Sequence, residues 1–210
     1  MSLTAKRWLA LWQRLGAPRH ADGALADAFA ALTARYSETH RHYHSARHIA
    51  ECLAHFDTAQ GLCEHEAEVE LALWFHDAVY EPRAKDNEAK SAAWALRVMA
   101  DAGLDTPVRD RVNALIMKTC HDALPDTQDE QVLVDIDLAI LGADTARFEE
   151  YETQVRAEYG WVPEFLFRRT RRKILQSFLA RPAIYSTAHF KIQREKKARD
   201  NLARSLSLLS

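Results

Sequence analysis

His76 and Asp77 stand side by side inside LALWFHDAVY, Leu71 to Tyr80, an almost unbroken apolar run. Burying a carboxylate there costs several kcal/mol unless a partner or a cation compensates it. On a helical wheel Leu71, Trp74, Phe75 and Ala78 make one apolar stripe. His76 and Asp77 fall on the other side, flanking Leu73 and Tyr80, so the segment is apolar nearly all round and reads as a buried helix with the pair in its middle. A core histidine bonded to backbone and an aspartate paired with an arginine would account for one such pair.

A second internal carboxylate strengthens the alternative. In VLVDIDLAIL, Val132 to Leu141, Asp137 projects among Leu133, Val134, Ile140 and Leu141, while Asp135 points to another face near Val132 and Ala139. The stretch from Thr119 to Ala146 holds no lysine or arginine. Carboxylates so placed call for a cation, and a divalent metal held by neutral imidazole and carboxylates meets the need. Further imidazoles come from HRHYHSARHIAECLAHF, Arg41 being the arginine between its first two histidines. Ala46, Ile49, Leu53 and Phe56 form the core stripe of that helix. His48 lies at its boundary as the better ligand, and His44 is placed to reach a bound substrate.

Helices must carry these residues. Six glycines and six prolines in 210 residues leave little turn chemistry for sheets, and no long run alternates apolar and polar residues. Helical spacing predicts helices at 4–15, 23–37, 43–57, 65–80, 86–102, 107–121, 130–141, 144–159, 163–180 and 186–207. Asp86 and Asp144 are placed to cap, Pro163 suits a first turn, and Pro182 ends a helix. The expectation is an all-α chain: one domain over 1–210, an irregular helical bundle with a metal-site core at about 40–142 and a basic C-terminal helical extension at about 144–210.

A chain 48% hydrophobic and 28% charged is long enough for one substantial core. Its net charge of −2 argues against a dedicated nucleic-acid binder. The scattered Cys52, Cys63 and Cys120 suit a reducing compartment, and WLALWQRLG is too short to span a bilayer, so a cytoplasmic location without a membrane partner is expected. RRTRRK and KIQREKKAR concentrate positive charge near the end, either as a solvated face or as a wall attracting a phosphorylated ligand or RNA. A homo-oligomer is compatible with the sequence, Trp8 and Trp12 serving core or interface.

The order His48, then His76-Asp77, then Asp137 resembles the HD superfamily of metal-dependent phosphohydrolases, whose ligands sit on separate helices of an all-α domain. RHYHSARHIAECL, FHDAVY, DNEAKSA, DIDLAILG and IYSTAHF are similar to a bacterial branch of predicted phosphohydrolases, so the likeness covers nearly the whole chain. It implies an HD-type bundle with His48, His76, Asp77 and Asp137 as metal ligands. It also implies His121, in MKTCHD, as an extra histidine for a second metal or the substrate phosphate. Some branches carry a histidine where NEAKSA places Glu88, a departure that weighs against two metals.

Such a nitrogen and oxygen ligand set suits Mn, Fe, Co, Ni or Zn, with Mg less natural. The metal would acidify a bound water for attack on phosphorus, with Asp77 also orienting that water and Glu88 or His121 handling protons at the leaving group. Arg41, His44, Asn87 and Lys90 are the candidates for contacting a small phosphorylated substrate. The implied activity is hydrolysis of a phosphomonoester or phosphodiester, a nucleotide among the candidates. The alternatives are a non-catalytic module that senses a nucleotide or phosphorylated metabolite and, last, an RNA-associated protein.

Overall fold

The computed structural model describes residues 3–120 and 124–209. Among them are ten α-helices and no strand. The chain divides into two compact units, 1–133 and 134–210, and the division falls within α7. No helix among the described residues is long and apolar enough to cross a membrane.

The first unit holds α1 (Ala5–Arg14), α2 (Asp22–Arg35), α3 (Ala46–Thr58), α4 (Glu66–Phe75), α5 (Asn87–Asp101), α6 (Thr106–Lys118) and the start of α7 (Gln128–Asp137), with a short 3-10 turn at Arg19–Ala21. Apolar spacing placed α1, α3, α5 and α6 because their buried sides repeat at the helical period. α4 is buried from Glu68 to Phe75 and forms the centre of the unit. Trp8 and Trp12 belong to the core: Trp8 packs edge-on against Trp12 and Trp74, and its indole N–H donates to the Leu25 carbonyl at 2.7 Å.

Buried acids tie α4 to its neighbours. Glu70 accepts from Arg7 Nε at 2.7 Å and pairs with Arg14, while Arg7 also grips Asp57 on α3 at 2.8 and 2.9 Å. Glu68 receives both prongs of Arg111 from α6 at 2.7 Å. Asp129 accepts from the Glu64 and His65 amides at 2.7 and 3.2 Å, placing a carboxylate at the amino end of α4, where free N–H groups favour negative charge. α7 opens with a reciprocal cap: the Glu130 amide donates to Thr127 Oγ1, and the Glu130 carboxylate accepts from the Thr127 amide.

The second unit comprises the end of α7, a 3-10 turn at Leu138–Gly142, α8 (Thr145–Glu158), α9 (Glu164–Leu179) and α10 (Ala188–Leu208). Asp86 and Asp144 do occupy cap positions, but their carboxylates turn to Lys90 and Lys197 instead of to backbone. Asn201 donates to the carbonyls of Leu141 and Ala143, both at 2.9 Å, which fastens the 3-10 turn to α10.

Candidate metal centre

The doublet does not lie mid-helix as the apolar period suggested. α4 ends at Phe75; His76 is its C-cap, its amide still bonded to the Ala72 carbonyl at 2.8 Å, and Asp77 begins a turn. Side chains replace the helical bonds beyond that point. Ser91 Oγ on α5 accepts from the Val79 amide at 3.0 Å. Arg41 donates to the carbonyls of Asp77 at 2.6 Å and Ala78 at 3.0 Å.

His48 on α3 meets the doublet. Its Nε2 lies 3.1 Å from His76 Nε2 and 3.4 Å from Asp77 Oδ2, and the third side of the triangle, His76 Nε2 to Asp77 Oδ2, is 3.2 Å. With metal–donor distances of about 2.1 Å, neighbouring donors stand about 3.0 Å apart in an octahedron and about 3.4 Å apart in a tetrahedron. The observed separations lie within that range. A carbonyl can only accept, so the 3.0 Å contact from His76 Nδ1 to the Leu73 carbonyl places a proton on Nδ1, and the neutral ring then keeps its lone pair on Nε2. Histidines that bind metals are commonly oriented by such a bond. Both imidazoles are buried. Burial pushes the Asp77 carboxyl up, but the His76, His44 and His48 imidazoles outweigh it and hold Asp77 well below the usual carboxylate range.

Cys52 is not among the ligands expected from the sequence. It follows His48 by four residues on the same buried side of α3, a spacing that could have disclosed it. His48, Cys52 and His76 together form a buried group whose donor atoms lie within 4.8 Å of one another and could bind a metal. The sulfur is 3.7 Å from both ring nitrogens of His48. A point equidistant from the two nitrogens at that range lies over the ring face and not along the Nε2 lone pair, so in this rotamer Cys52 packs on its neighbour.

No family model, curated protein or solved structure matches the chain. The site therefore rests on its own geometry. His44 lies beside the triangle, stacked on Tyr80 with ring centroids 4.1 Å apart. The Arg41 side chain is fully buried and directs its donors to Glu38 and to the carbonyls of His44, Asp77 and Ala78, which makes it a support for the site's main chain. Asn87 brackets the loop before α5 by bonding both the amide and the carbonyl of Glu81 at 3.1 Å, and Lys90 pairs with Asp86 at 2.8 Å. Glu88 is half-buried in the first turn of α5. Among the described residues no hydrogen bond or ion pair joins Glu88, Asn87 or Lys90 to the triangle. His121 lies outside the described residues.

In the second unit Asp137 is half-buried at the last position of α7. Burial first, then the charges of Glu152 and Asp137, raise the Tyr151 phenol above its ordinary value, against the lowering influence of Arg171. Asp135 needs no cation. Its fully buried carboxylate accepts from the Ser186 amide, the Thr187 amide and Thr187 Oγ1, each at 2.7 Å, and so fixes the start of α10.

Proposed function

We propose that this protein is a metal-dependent phosphohydrolase of the HD type, acting on a phosphomonoester or phosphodiester. One observation carries the reading: the buried triangle of His48 Nε2, His76 Nε2 and Asp77 Oδ2, whose sides of 3.1 to 3.4 Å match the spacing of donors around one divalent ion. In this reading His48, His76 and Asp77 hold the ion, with Asp137 as the further ligand that the order of residues supplies. Bound there, Mn, Fe, Co, Ni or Zn would supply a Lewis acid able to acidify water and polarise a phosphoryl oxygen.

The chain's own groups set the rest. The Leu73 carbonyl keeps the His76 proton on Nδ1. Asp77, held in its ionised form, offers a carboxylate oxygen to orient a water by accepting its hydrogen bond. His44, stacked on Tyr80, is the candidate for contacting substrate oxygens, and Glu88 and His121 are the candidates for the leaving group's proton. A sensing module is the second reading. It draws on the engagement of Arg41, Asn87 and Lys90 with main chain or Asp86, which leaves those three groups committed away from a phosphate.

The test is metal analysis by mass spectrometry on untagged protein, with His76→Ala and Asp137→Ala variants and a panel of phosphate esters. About one transition metal per chain, lost in both folded variants, together with ester hydrolysis that the same variants abolish, is expected. Metal without turnover would favour the sensor. No metal after incubation with Mn or Fe would return the triangle to a hydrogen-bonded core role.

A further inference from the structure

Several arginines of the second unit are paired with a nearby acid. Arg156 pairs with Glu164 at 3.0 Å, Arg171 with Glu152, Arg199 with Glu195 at 2.8 Å and Arg204 with Glu149 at 3.6 Å. α9 also carries basic groups without such a partner. Arg169 and Lys173 are exposed with no carboxylate partner among the described residues, and Arg172 donates to the Leu209 carbonyl at the end of α10. Arg168 is held in the same way by Leu208, at 2.9 Å. Phe165, Arg168, Arg169, Arg172 and Leu209 line a recess of about 310 Å³. No acid lines it, and Phe165 stands 69% exposed at its edge.

We infer that this recess binds the phosphate backbone of single-stranded nucleic acid, with Phe165 stacking on a base. Three features support that partner. Phe165, Arg169 and Arg172 follow one another at helical spacing, which makes one ridge of an aromatic ring followed by cations. Two of the guanidinium groups are already immobilised by carbonyls of α10, so less freedom is lost on meeting a phosphate. Arg169 and Lys173 fall with Leu166 in the middle of the exposed arc of α9, so that arc lacks the continuous apolar stripe with which a helix lies in a membrane. The recess belongs wholly to the second unit and stands independently of the metal reading.

The experiment is fluorescence anisotropy of a labelled oligouridylate against salt, using the full chain, with circular dichroism to check each variant. Three phosphate contacts predict a slope of about −2, so affinity falls about 20-fold between 50 and 200 mM salt. Phe165→Ala should weaken binding about tenfold at constant slope, and Arg169→Gln should reduce the slope by about 0.7. The Arg169→Glu/Arg172→Glu double variant should abolish binding, and uridine monophosphate should compete poorly. The proposal is overturned by absent binding at low salt, by wild-type affinity in the folded double variant, or by binding of phosphatidylserine vesicles in place of the oligonucleotide.

Discussion

The Arg41 guanidinium holds the main-chain carbonyl of Asp77 at 2.6 Å, while the carboxylate of the same aspartate reaches His48 and His76 at 3.4 and 3.2 Å. The same arginine donates to the His44 carbonyl, just ahead of α3, at 3.1 Å. One planar fork thus fixes both chain segments from which the triangle's ligands project, at the point where α4 gives up its own hydrogen bonds.

Lysine should not replace it. Arg41→Lys keeps the charge but presents a point donor in place of a fork, leaving buried carbonyls unpaired. We expect a loss of about 3–5 kcal/mol in urea unfolding and a weaker metal site in the molecules that still fold. Wild-type stability in that variant would show that water takes over the abandoned carbonyls.

Acid should unfold the metal-free protein from the loop before α3 and the doublet. Burial raises Glu38, but hydrogen bonds from Arg35 and Arg41 outweigh it and leave its folded value below the ordinary one; Asp77 is depressed by its imidazoles. A depressed carboxyl contributes stability above its unfolded value of about 4 and loses it as the pH falls through the folded value. Melting temperature should therefore be nearly level for these groups between pH 7 and 5 and decline below about pH 4. Glu38→Gln should flatten that decline, and an unchanged profile would remove Glu38 from the account.

Most of the helices were legible because local spacing determines them: α3, α5 and α8 each bury residues at the helical period. The end of α4 was not. LALWFHDAVY keeps an apolar pattern to Tyr80, and the groups that stop the helix, Arg41 and Ser91, act from 36 and 12 residues away. Distance in sequence also hid the partner of Asp135, whose compensation comes from two backbone amides and a hydroxyl about fifty residues on. The histidine order and the doublet were readable as residue types. The triangle they form depends on tertiary packing, and so does the place of Cys52 on the His48 ring.

Asp135→Asn tests that anchor. The carboxylate accepts three hydrogen bonds in a site with no solvent exposure. An amide offers one oxygen, and its NH2 would face donors that need acceptors. The variant should lose about 2–3 kcal/mol and increase hydrogen exchange at the start of α10. Equal protection of Ser186 and Thr187 in both proteins would mean that other bonds hold this segment.

Gly142 has a steric reason to be glycine. A Cβ added there would meet Arg194 Cβ at 2.6 Å, the Arg194 carbonyl at 2.9 Å and Tyr185 Oη at 2.9 Å. Two of those atoms are rigidly placed in α10, and the third belongs to a buried tyrosine that donates to the Leu138 carbonyl at 3.1 Å. Neither helix nor ring can give way without breaking bonds nearby, Asn201 with Leu141 and Ala143 among them. Gly142→Ala should therefore cost about 1–3 kcal/mol through overpacking, although alanine ordinarily gains over glycine in the unfolded state. Gly160→Ala, where the added carbon meets only the Ala157 carbonyl at 3.1 Å, is the milder comparison. Urea unfolding of both variants decides the matter: equal midpoints would show that the 3-10 turn moves off α10 at little cost.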